Sequence, residues 1–259
     1  MIRLLSGIAL AGAALAAILL LPPVGLRLLA CLVALVAARE YLQILHHDGR
    51  RVDPLPVLLL VAVTCWWMAA PSRAGVLPLL LAGLGWLAIE VVFRGLTVER
   101  AAARFLAPWY IGMPLGMLAG VHATGGGLAA TLLIATVVVS DSAQYYSGRL
   151  VGRRPLAPTI SPKKTVEGAI GGTAAAMAFL ALAGPHALPA AGAASLALVG
   201  LAVALLGIAG DLFESRLKRI AGVKDSAALI PGHGGLLDRI DALLFATPVF
   251  SLYVQRFGG

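Results

Sequence analysis

Two aspartates, Asp238 and Asp241, stand three positions apart at the start of an apolar segment near the C-terminus. They belong to the stretch GHGGLLDRIDALLF, residues 232–245, and they share one face of the helix that its apolar end predicts. A third carboxylate, Asp211, directly follows the apolar run LVGLAVALLGIAG, so we expect it to lie deepest. Charged groups are costly in an apolar environment unless a cation accompanies them. These three aspartates are therefore candidates for binding a positive ion.

A set of ligands that consists only of oxygen atoms favours a hard divalent cation. Mg²⁺ prefers carboxylate oxygens, and waters and substrate phosphates usually complete its coordination. We therefore predict that Asp211, Asp238 and Asp241 bind Mg²⁺ or a similar divalent cation.

A histidine in a glycine-rich turn precedes the paired aspartates. Because magnesium prefers oxygen ligands, His233, beside Gly234 and Gly235, is a better candidate for contacting a phosphate or a base than for binding the metal. The alternative is a histidine that only caps the loop.

Basic and hydroxyl side chains are concentrated in the segment RRPLAPTISPKKTVEGAIGG, residues 153–172. Ser161 and the proline after it predict the start of a helix, with Lys163, Lys164 and Thr165 in its first turn. Free N–H groups, two ammonium groups and two hydroxyls would together suit a bound phosphate. The alternative is basic residues that only set membrane topology, which would leave the hydroxyls unexplained.

A polar helix face is predicted in the stretch GDLFESRLKRIAGVKD, residues 210–225. Asp211 and Glu214 are three positions apart, as are Ser215 and Lys218. Neighbours at this spacing lie on one side of a helix, so this stretch predicts a polar surface close to the paired aspartates.

A further carboxylate lies in the stretch SDSAQYYSGRLVG, residues 140–152, which ends an apolar segment. Asp141 and Tyr145 are four positions apart and share a helical face. An ionisable group at this depth indicates a functional site by default. The alternative is a structural ion pair between Asp141 and Arg149.

These polar groups define a class of reaction. Clustered acids, basic side chains and a glycine-rich turn are the parts that metal-assisted phosphoryl or nucleotidyl transfer uses. In such reactions a metal ion holds phosphate oxygens while cationic side chains neutralise charge on the transferred and leaving groups.

The composition indicates the fold class. Of the 259 residues, 60% are hydrophobic and 12% are charged, whereas soluble domains are about one-quarter charged. Apolar runs of about twenty residues, long enough to cross about 30 Å of hydrocarbon, recur along the chain. We therefore predict an all-α, polytopic helical membrane protein with about nine transmembrane helices. The predicted spans are 4–21, 24–45, 54–70, 75–93, 104–122, 127–146, 166–184, 192–212 and 238–255.

The basic residues predict the orientation. With a cytoplasmic N-terminus, all of the 20 Lys and Arg residues except Arg27, Arg73 and Arg256 fall on the cytoplasmic side. The net charge of +8 then belongs to a surface beside anionic lipid, which argues against a nucleic-acid partner.

The acidic residues divide the chain into two halves of one integral membrane unit. Residues 1–135 are predicted to be an N-terminal transmembrane scaffold, and residues 136–259 a C-terminal transmembrane half that carries the chemistry. Seven of the twelve acidic residues lie between positions 141 and 241, namely Asp141, Glu167, Asp211, Glu214, Asp225, Asp238 and Asp241.

A longer motif resembles a known family. The stretch SRLKRIAGVKDSAALIPGHGGLLDRID, residues 215–241, matches S-x-x-K-R, then K-D, then P-G-H-G-G-x-x-D-R-x-D, which is the signature of the phosphatidate cytidylyltransferases (CDP-diacylglycerol synthases). The stretches SPKKTVEGAIGG and GDLFES are also similar to that family. The resemblance covers roughly residues 137–245. One departure is SDSAQYY, where family members more often read D-T-x-A-Y, so Gln144 replaces a small residue.

The resemblance implies a reaction, a cofactor and a location. The reaction is CTP plus phosphatidic acid giving CDP-diacylglycerol and pyrophosphate with Mg²⁺, in phospholipid biosynthesis. The enzyme would be all-helical, homodimeric and embedded among the lipids of the bacterial inner membrane, with its active site facing the cytoplasm.

The resemblance and the residues together assign roles. The catalytic candidates are Asp211, Asp238 and Asp241, as metal ligands, and Lys224 and Arg239. The substrate-binding candidates are Asp141, Ser161, Lys163, Lys164, Thr165, Glu214, Ser215, Lys218, Arg219, Asp225, His233, Gly234 and Gly235. Among these, the phosphate and pyrophosphate partners are Lys163, Lys164, Arg219, Lys224 and Arg239.

Two other functions are compatible with parts of the sequence. A CTP-dependent polyprenol kinase would use a similar nucleotide site, but it should have a general base for an alcohol acceptor. An ion-coupled transporter would also place aspartates in the membrane. Against a transporter, the acids occur together with a dense basic set, and the sequence has no evident inverted repeat.

Overall fold

Nine α-helices and one short β-hairpin make up the described part of the chain. The computed structural model describes residues 2–45, 53–70, 75–227 and 234–257. The helices are α1 (Ile2–Leu20), α2 (Pro23–Leu45), α3 (Leu55–Met68), α4 (Leu77–Val92), α5 (Val98–Ala107), α6 (Met113–Val151), α7 (Val166–Ala187), α8 (Ala193–Ile220) and α9 (Leu237–Phe257). A π-helical turn at Pro108–Gly112 joins α5 to α6, and the antiparallel strands β1 (Pro155–Ala157) and β2 (Ser161–Thr165) precede α7.

The protein is an all-α polytopic membrane protein, as the composition predicts. Among the described residues, four helical segments are long and apolar enough to cross a membrane: Pro23–Leu45, Val98–Val151, Val166–Ala187 and Ala193–Ile220. Shorter apolar helices cover Ala11–Leu20, Leu55–Met68 and Leu77–Val92. The count of nine transmembrane helices stays a prediction.

The longest apolar segment is interrupted at a glycine. Gly126 has φ 75° and ψ 177°, which are not helical values and are rare for residues with a side chain. The predicted spans 104–122 and 127–146 lie on either side of this position. Close approaches of Gly112 to the Val61 carbonyl oxygen and of Gly116 to that of Cys65 pack the part before Gly126 along α3.

Helices α6 to α9 pack closely through glycines. A Cβ atom on Gly168 would lie 2.8 Å from the carbonyl oxygen of Gln144, and one on Gly172 would lie 2.7 Å from that of Ser140. This pair of small residues, four positions apart, therefore lets α7 lie directly against α6. A Cβ on Gly210 would lie 2.5 Å from the carbonyl oxygen of Asp241, so α8 touches the first turns of α9 at this glycine.

The β-hairpin shows that the helix start predicted at Ser161 was wrong. The sequence predicted that a helix starts at Ser161 and holds the two lysines in its first turn, but Ser161–Thr165 is a strand and α7 begins at Val166. Thr165 has an extended backbone (φ −120°, ψ 155°), and its hydroxyl accepts a hydrogen bond from the Gly168 N–H at 3.1 Å. Thr165 is thus the N-cap of α7, four residues after Ser161, where the sequence predicted the start of the helix.

The two predicted halves share their apolar core. One cluster of buried side chains joins Ala37 and Tyr41 of α2 and Val61 of α3 to Leu237 and Leu244 of α9. Helix α6 also runs through the predicted boundary between residues 135 and 136. The division into a scaffold half and a catalytic half stays a prediction.

Candidate active site

A cavity of about 660 Å³ lies between α6, β2, α8 and α9. Its volume is within the range of small-molecule sites, about 300–1,000 Å³. One part of its wall is apolar and includes Ile134, Val137, Val138 and Leu243. The charged residues that line the rest are Asp141, Arg149, Lys163, Lys164, Asp211, Lys218, Asp225, Asp238, Arg239 and Asp241. Nine of these ten, all except Arg149, were predicted site residues.

Three elements converge because of the close helix contacts. Helix α8 passes closest to the start of α9 at Gly210, so Asp211, the next residue of α8, comes close to Asp241. Helix α7 packs on α6, and the strand before α7 therefore places Lys163 and Lys164 over the same cavity. Residues separated by about eighty positions in the sequence are gathered into one site.

Asp211 is half-buried and forms an ion pair with Lys164 through Oδ2. Its Oδ1 accepts a hydrogen bond from the Ser215 hydroxyl at 3.2 Å, one helical turn further along α8. Both side chains of the ion pair remain partly exposed, at 33% for Asp211 and 22% for Lys164. This ion pair can therefore open to let each partner contact a ligand.

Asp238 is held on all sides. Its Oδ1 pairs with the Lys218 ammonium, and its Oδ2 accepts hydrogen bonds from the Gly235 N–H (2.8 Å), the Ser226 N–H (3.0 Å) and the Ser226 hydroxyl (2.9 Å). Lys218 also pairs with the buried Glu214 at 2.5 Å. A carboxylate can accept only a few hydrogen bonds, so Asp238 could bind a metal ion only after Lys218 moves away.

Asp241 differs from Asp211 and Asp238, each of which is paired with a lysine. Its carboxylate lines the cavity, and its Oδ1 accepts the N–H of Ala242 in its own helix at 2.7 Å. None of the ion pairs formed within the described ranges includes Asp241. A half-buried carboxylate with this arrangement is suited to receive a cation that arrives with the substrate.

The three aspartates do not form a ready-made metal site. In the described part of the chain, no group of three or more His, Cys, Asp or Glu side chains is placed to hold a metal ion. In addition, Asp211 is paired with Lys164 and Asp238 with Lys218. Asp211 and Asp241 still fit Mg²⁺, because this ion is commonly bound by one or two carboxylates together with substrate phosphates.

Asp141 does not form the ion pair that was the alternative to a functional role. It accepts a hydrogen bond from the Gln144 amide at 3.2 Å, whereas Arg149 donates to the Tyr145 hydroxyl at 3.2 Å. Asp141, Gln144 and Tyr145 all line the cavity. Gln144, the residue that departs from the family pattern, therefore lies inside the site.

Several predicted residues surround the cavity without lining it. Glu214 and Ser215 hold Lys218 and Asp211, and Gly235 donates its N–H to Asp238. Gly234 has φ 79°, a conformation that favours glycine.

Three other predicted residues, Arg219, Ser161 and Lys224, are also not among the residues that line the cavity. Arg219 donates from Nε to the Ile160 carbonyl oxygen at 3.5 Å, beside the hairpin. Ser161 begins β2, and Lys224 follows the end of α8. His233 lies outside the described residues.

Sequence reasoning missed two residues of this region, Glu40 and Ser226. Glu40 lies in α2 and is 4% exposed, and Ser226 is 7% exposed. Both contact the segment that carries Asp238. The signal for Glu40 was present, because a carboxylate inside an apolar span is a functional hypothesis by default.

Comparison with known proteins identifies the family of this chain. The family model described as "Cytidylyltransferase family" matches residues 1–257. Among curated proteins, a phosphatidate cytidylyltransferase of Helicobacter pylori (strain 26695) is 36% identical over 180 residues, which is 69% of this chain and 65% of that protein.

Two further relatives are more similar over shorter alignments. An uncharacterized protein, YnbB, of Escherichia coli (strain K12) is 43% identical over 139 residues, covering 54% of this chain and 46% of that protein. A phosphatidate cytidylyltransferase of Pseudomonas aeruginosa is 44% identical over 135 residues, covering 51% and 50%. The chain thus spans about half the length of most of the curated relatives that it matches. Because the family model covers nearly every residue, the chain belongs to the cytidylyltransferase family.

Proposed function

We propose that this protein is a phosphatidate cytidylyltransferase, which forms CDP-diacylglycerol and pyrophosphate from CTP and phosphatidic acid. One observation carries the proposal: a single cavity combines paired carboxylates, several cationic side chains and an apolar wall. A nucleoside triphosphate needs the first two features, and an acyl chain needs the third. Family membership and the curated relatives support the same reaction.

The reaction needs little acid–base chemistry from the protein. A phosphate oxygen of the lipid attacks the α-phosphorus of CTP, a new P–O bond forms, and the bond from the α-phosphorus to the bridging oxygen breaks, so that pyrophosphate leaves. A phosphomonoester has a second pKa of about 6 and is mostly ionised at neutral pH. The cavity lining includes no histidine among the residues that the structure describes, which is compatible with a reaction that requires no general base.

The side chains of the cavity then provide binding and orientation. Lys163, Lys164 and Arg239 line the cavity and would neutralise phosphate oxygens. Asp211 and Asp241 would hold Mg²⁺, which supplies charge neutralisation at the triphosphate when it is bound. When the nucleotide arrives, Lys164 exchanges its contact with Asp211 for a contact with phosphate, which leaves the Asp211 carboxylate available.

The membrane environment and partners form part of the proposal. The distribution of basic residues supports an active site that faces the cytoplasm in a bacterial inner membrane. Membrane lipids would surround the apolar helices, and the phosphatidic acid would come from the same bilayer. We further propose a homodimer with no nucleic-acid partner.

Removing the divalent cation should stop the reaction. In detergent with radiolabelled CTP and phosphatidic acid, label should enter a chloroform-soluble product. EDTA should lower this incorporation by at least about 100-fold, and added Mg²⁺ should restore it, because each lost charge contact is worth several kcal/mol in the transition state. Incorporation only with a long-chain alcohol, or full activity with EDTA, would contradict the proposal.

Replacing Lys164 by Met should weaken nucleotide binding. A hydrogen bond to a charged group contributes about 1.5–3 kcal/mol, so the KM for CTP should rise by about 10-fold or more. The matched control is Arg153→Met, because Arg153 is an exposed basic residue next to the same hairpin and does not line the cavity. An equal change in the two variants would mean that Lys164 acts only through surface charge.

A further inference from the structure

Glu40, a glutamate of the N-terminal half, contacts the stretch of residues 215–241 that carries the family signature. Glu40 is buried in α2, and its partners lie almost two hundred positions further along the chain. Its Oε1 accepts the Leu236 N–H at 2.9 Å, and its Oε2 accepts the Leu237 N–H at 2.7 Å and the Ser226 hydroxyl at 3.1 Å. A side chain of the predicted scaffold thus contacts the segment that holds the site aspartates.

The contacts of Glu40 fix the start of α9. Leu237 is the first residue of that helix, and the first N–H groups of a helix have no partner within it. A negative charge at this end is stabilised by the helix dipole and by these N–H donors. Glu40 therefore caps α9 from another helix, while Asp238 takes the adjacent Gly235 N–H.

One hydroxyl connects the two carboxylates. The Ser226 oxygen lies 3.1 Å from Oε2 of Glu40 and 2.9 Å from Oδ2 of Asp238. A hydroxyl has one proton, so Ser226 donates to one carboxylate at a time. Lys218 balances the charge of Asp238. The donors to Glu40 are uncharged, namely two backbone N–H groups and the Ser226 hydroxyl.

The absence of a side chain at Gly235 makes room for the Glu40 carboxylate. A Cβ atom on Gly235 would lie 2.5 Å from Oε2 of Glu40 and would also collide with the Ser226 hydroxyl. Glycine at this position is thus what allows the α2 carboxylate to approach the start of α9. The contact is specific packing between two parts of the chain that are distant in sequence.

We infer that Glu40 is a positioning residue for the transfer reaction. It holds the start of α9 so that Asp238 stays paired with Lys218 and Asp241 stays beside Asp211 at the cavity. This inference rests on the proposed function, because the aspartates matter only if the cavity binds a nucleotide and its metal. The N-terminal half then takes part in building the site.

The test replaces Glu40 by Gln, which keeps the shape but presents an NH₂ group to donors. We expect kcat to fall by about 100-fold, because a displacement of about 1 Å at a reacting group has that effect. The Mg²⁺ concentration for half-maximal activity should rise about 10-fold, as for other groups that orient metal ligands. The thermal stabilisation of the protein by CTP with Mg²⁺ should shrink, which is a readout independent of turnover.

The matched control is Glu90→Gln. Glu90 is also a fully buried glutamate of the N-terminal half, but it pairs with Arg104 at 3.0 Å and Arg94 at 2.8 Å, away from the motif. This variant should lose stability yet keep its kcat and its Mg²⁺ dependence within about 3-fold. Equal losses of kcat in the two variants, or an unchanged Mg²⁺ dependence in Glu40→Gln, would overturn the inference.

A second variant covers the case in which Glu40→Gln does not fold. Ser226→Ala removes the connecting hydroxyl without changing any charge, and kcat should fall by about 10-fold with the same shift in Mg²⁺ dependence. Unchanged kinetics in Ser226→Ala would then overturn the inference. The two proposals fail separately, since wild-type protein that forms no CDP-lipid overturns the proposed function, whereas active wild-type protein with unaffected variants overturns only the role of Glu40.

Discussion

Replacing Asp241 by Asn is expected to lower the formation of CDP-diacylglycerol by about 1,000-fold, a loss typical of removing a group that stabilises charge in a transition state. Asp241 lines the cavity beside Asp211, and within the described ranges its carboxylate takes part in no ion pair. Because it holds no partner side chain in place, the variant should keep the stability of the wild type. The measurements are turnover with radiolabelled CTP and thermal unfolding in detergent.

The control for this variant is Glu99→Gln. Glu99 is an exposed acid in the first turn of α5, so its replacement makes the same kind of change far from the cavity. It should leave both turnover and the unfolding temperature close to those of the wild type. Turnover of Asp241→Asn within 10-fold of the wild type would remove Asp241 from the site.

Replacing Lys218 by Met is expected to affect both stability and turnover. The lysine is 12% exposed and pairs with two buried carboxylates, Glu214 at 1% and Asp238 at 7% exposure. Removing the shared cation leaves both charges uncompensated, which costs about 3–5 kcal/mol for a buried pair. The midpoint of thermal unfolding in detergent should therefore fall by about 10 °C. Turnover should also fall, because the Oδ1 atom of Asp238 loses its cationic partner inside the site.

A double variant separates the two effects. Lys218→Met combined with Glu214→Gln removes one of the uncompensated charges and should recover part of the stability but none of the turnover. Arg216→Met, a change at an exposed position of the same helix, should leave the unfolding temperature unchanged. An unfolding temperature of Lys218→Met equal to that of the wild type would show that the ion pairs contribute no net stability.

The fold class could be predicted because it depends on averages along the chain. The high hydrophobic and low charged fractions require a bilayer as solvent, and in hydrocarbon only helices or closed barrels satisfy the backbone. Long uninterrupted apolar runs favour helices, and the structure confirms the all-α class. The number of spans depends on helix ends and breaks such as Gly126, which hydropathy alone does not locate.

The sequence predicted which charged residues lie in the candidate site, but it did not predict which of them form ion pairs with one another. Nine of the ten charged residues that line the cavity had been singled out from their spacing and their motifs. The sequence did not predict that Lys164 pairs with Asp211 or that Lys218 pairs with Asp238. Such pairings depend on the angles and distances between helices, which local spacing does not determine.

The start of α7 is a second case in which local sequence did not determine the structure. Ser161 and the proline after it are common at a helix start, so local preference favoured a helix there. The backbone hydrogen-bonds instead to β1, and Thr165 provides the cap. The lysines therefore extend from a strand over the cavity, a position that a helical turn would not have given them.

The sequence by itself determined that the protein lies in a lipid bilayer and that its fold is all-helical. It also determined the family and the set of polar residues available for chemistry. These properties follow from composition, periodicity and a continuous motif, all of which are local along the chain. Only the tertiary structure decided that Asp241 takes part in no ion pair among the described residues, that Lys164 and Lys218 neutralise its neighbours, and that Glu40 holds α9. The physical reason is that a buried or half-buried charge takes its partner from whichever helix or strand packs against it, and that element can be distant in the sequence.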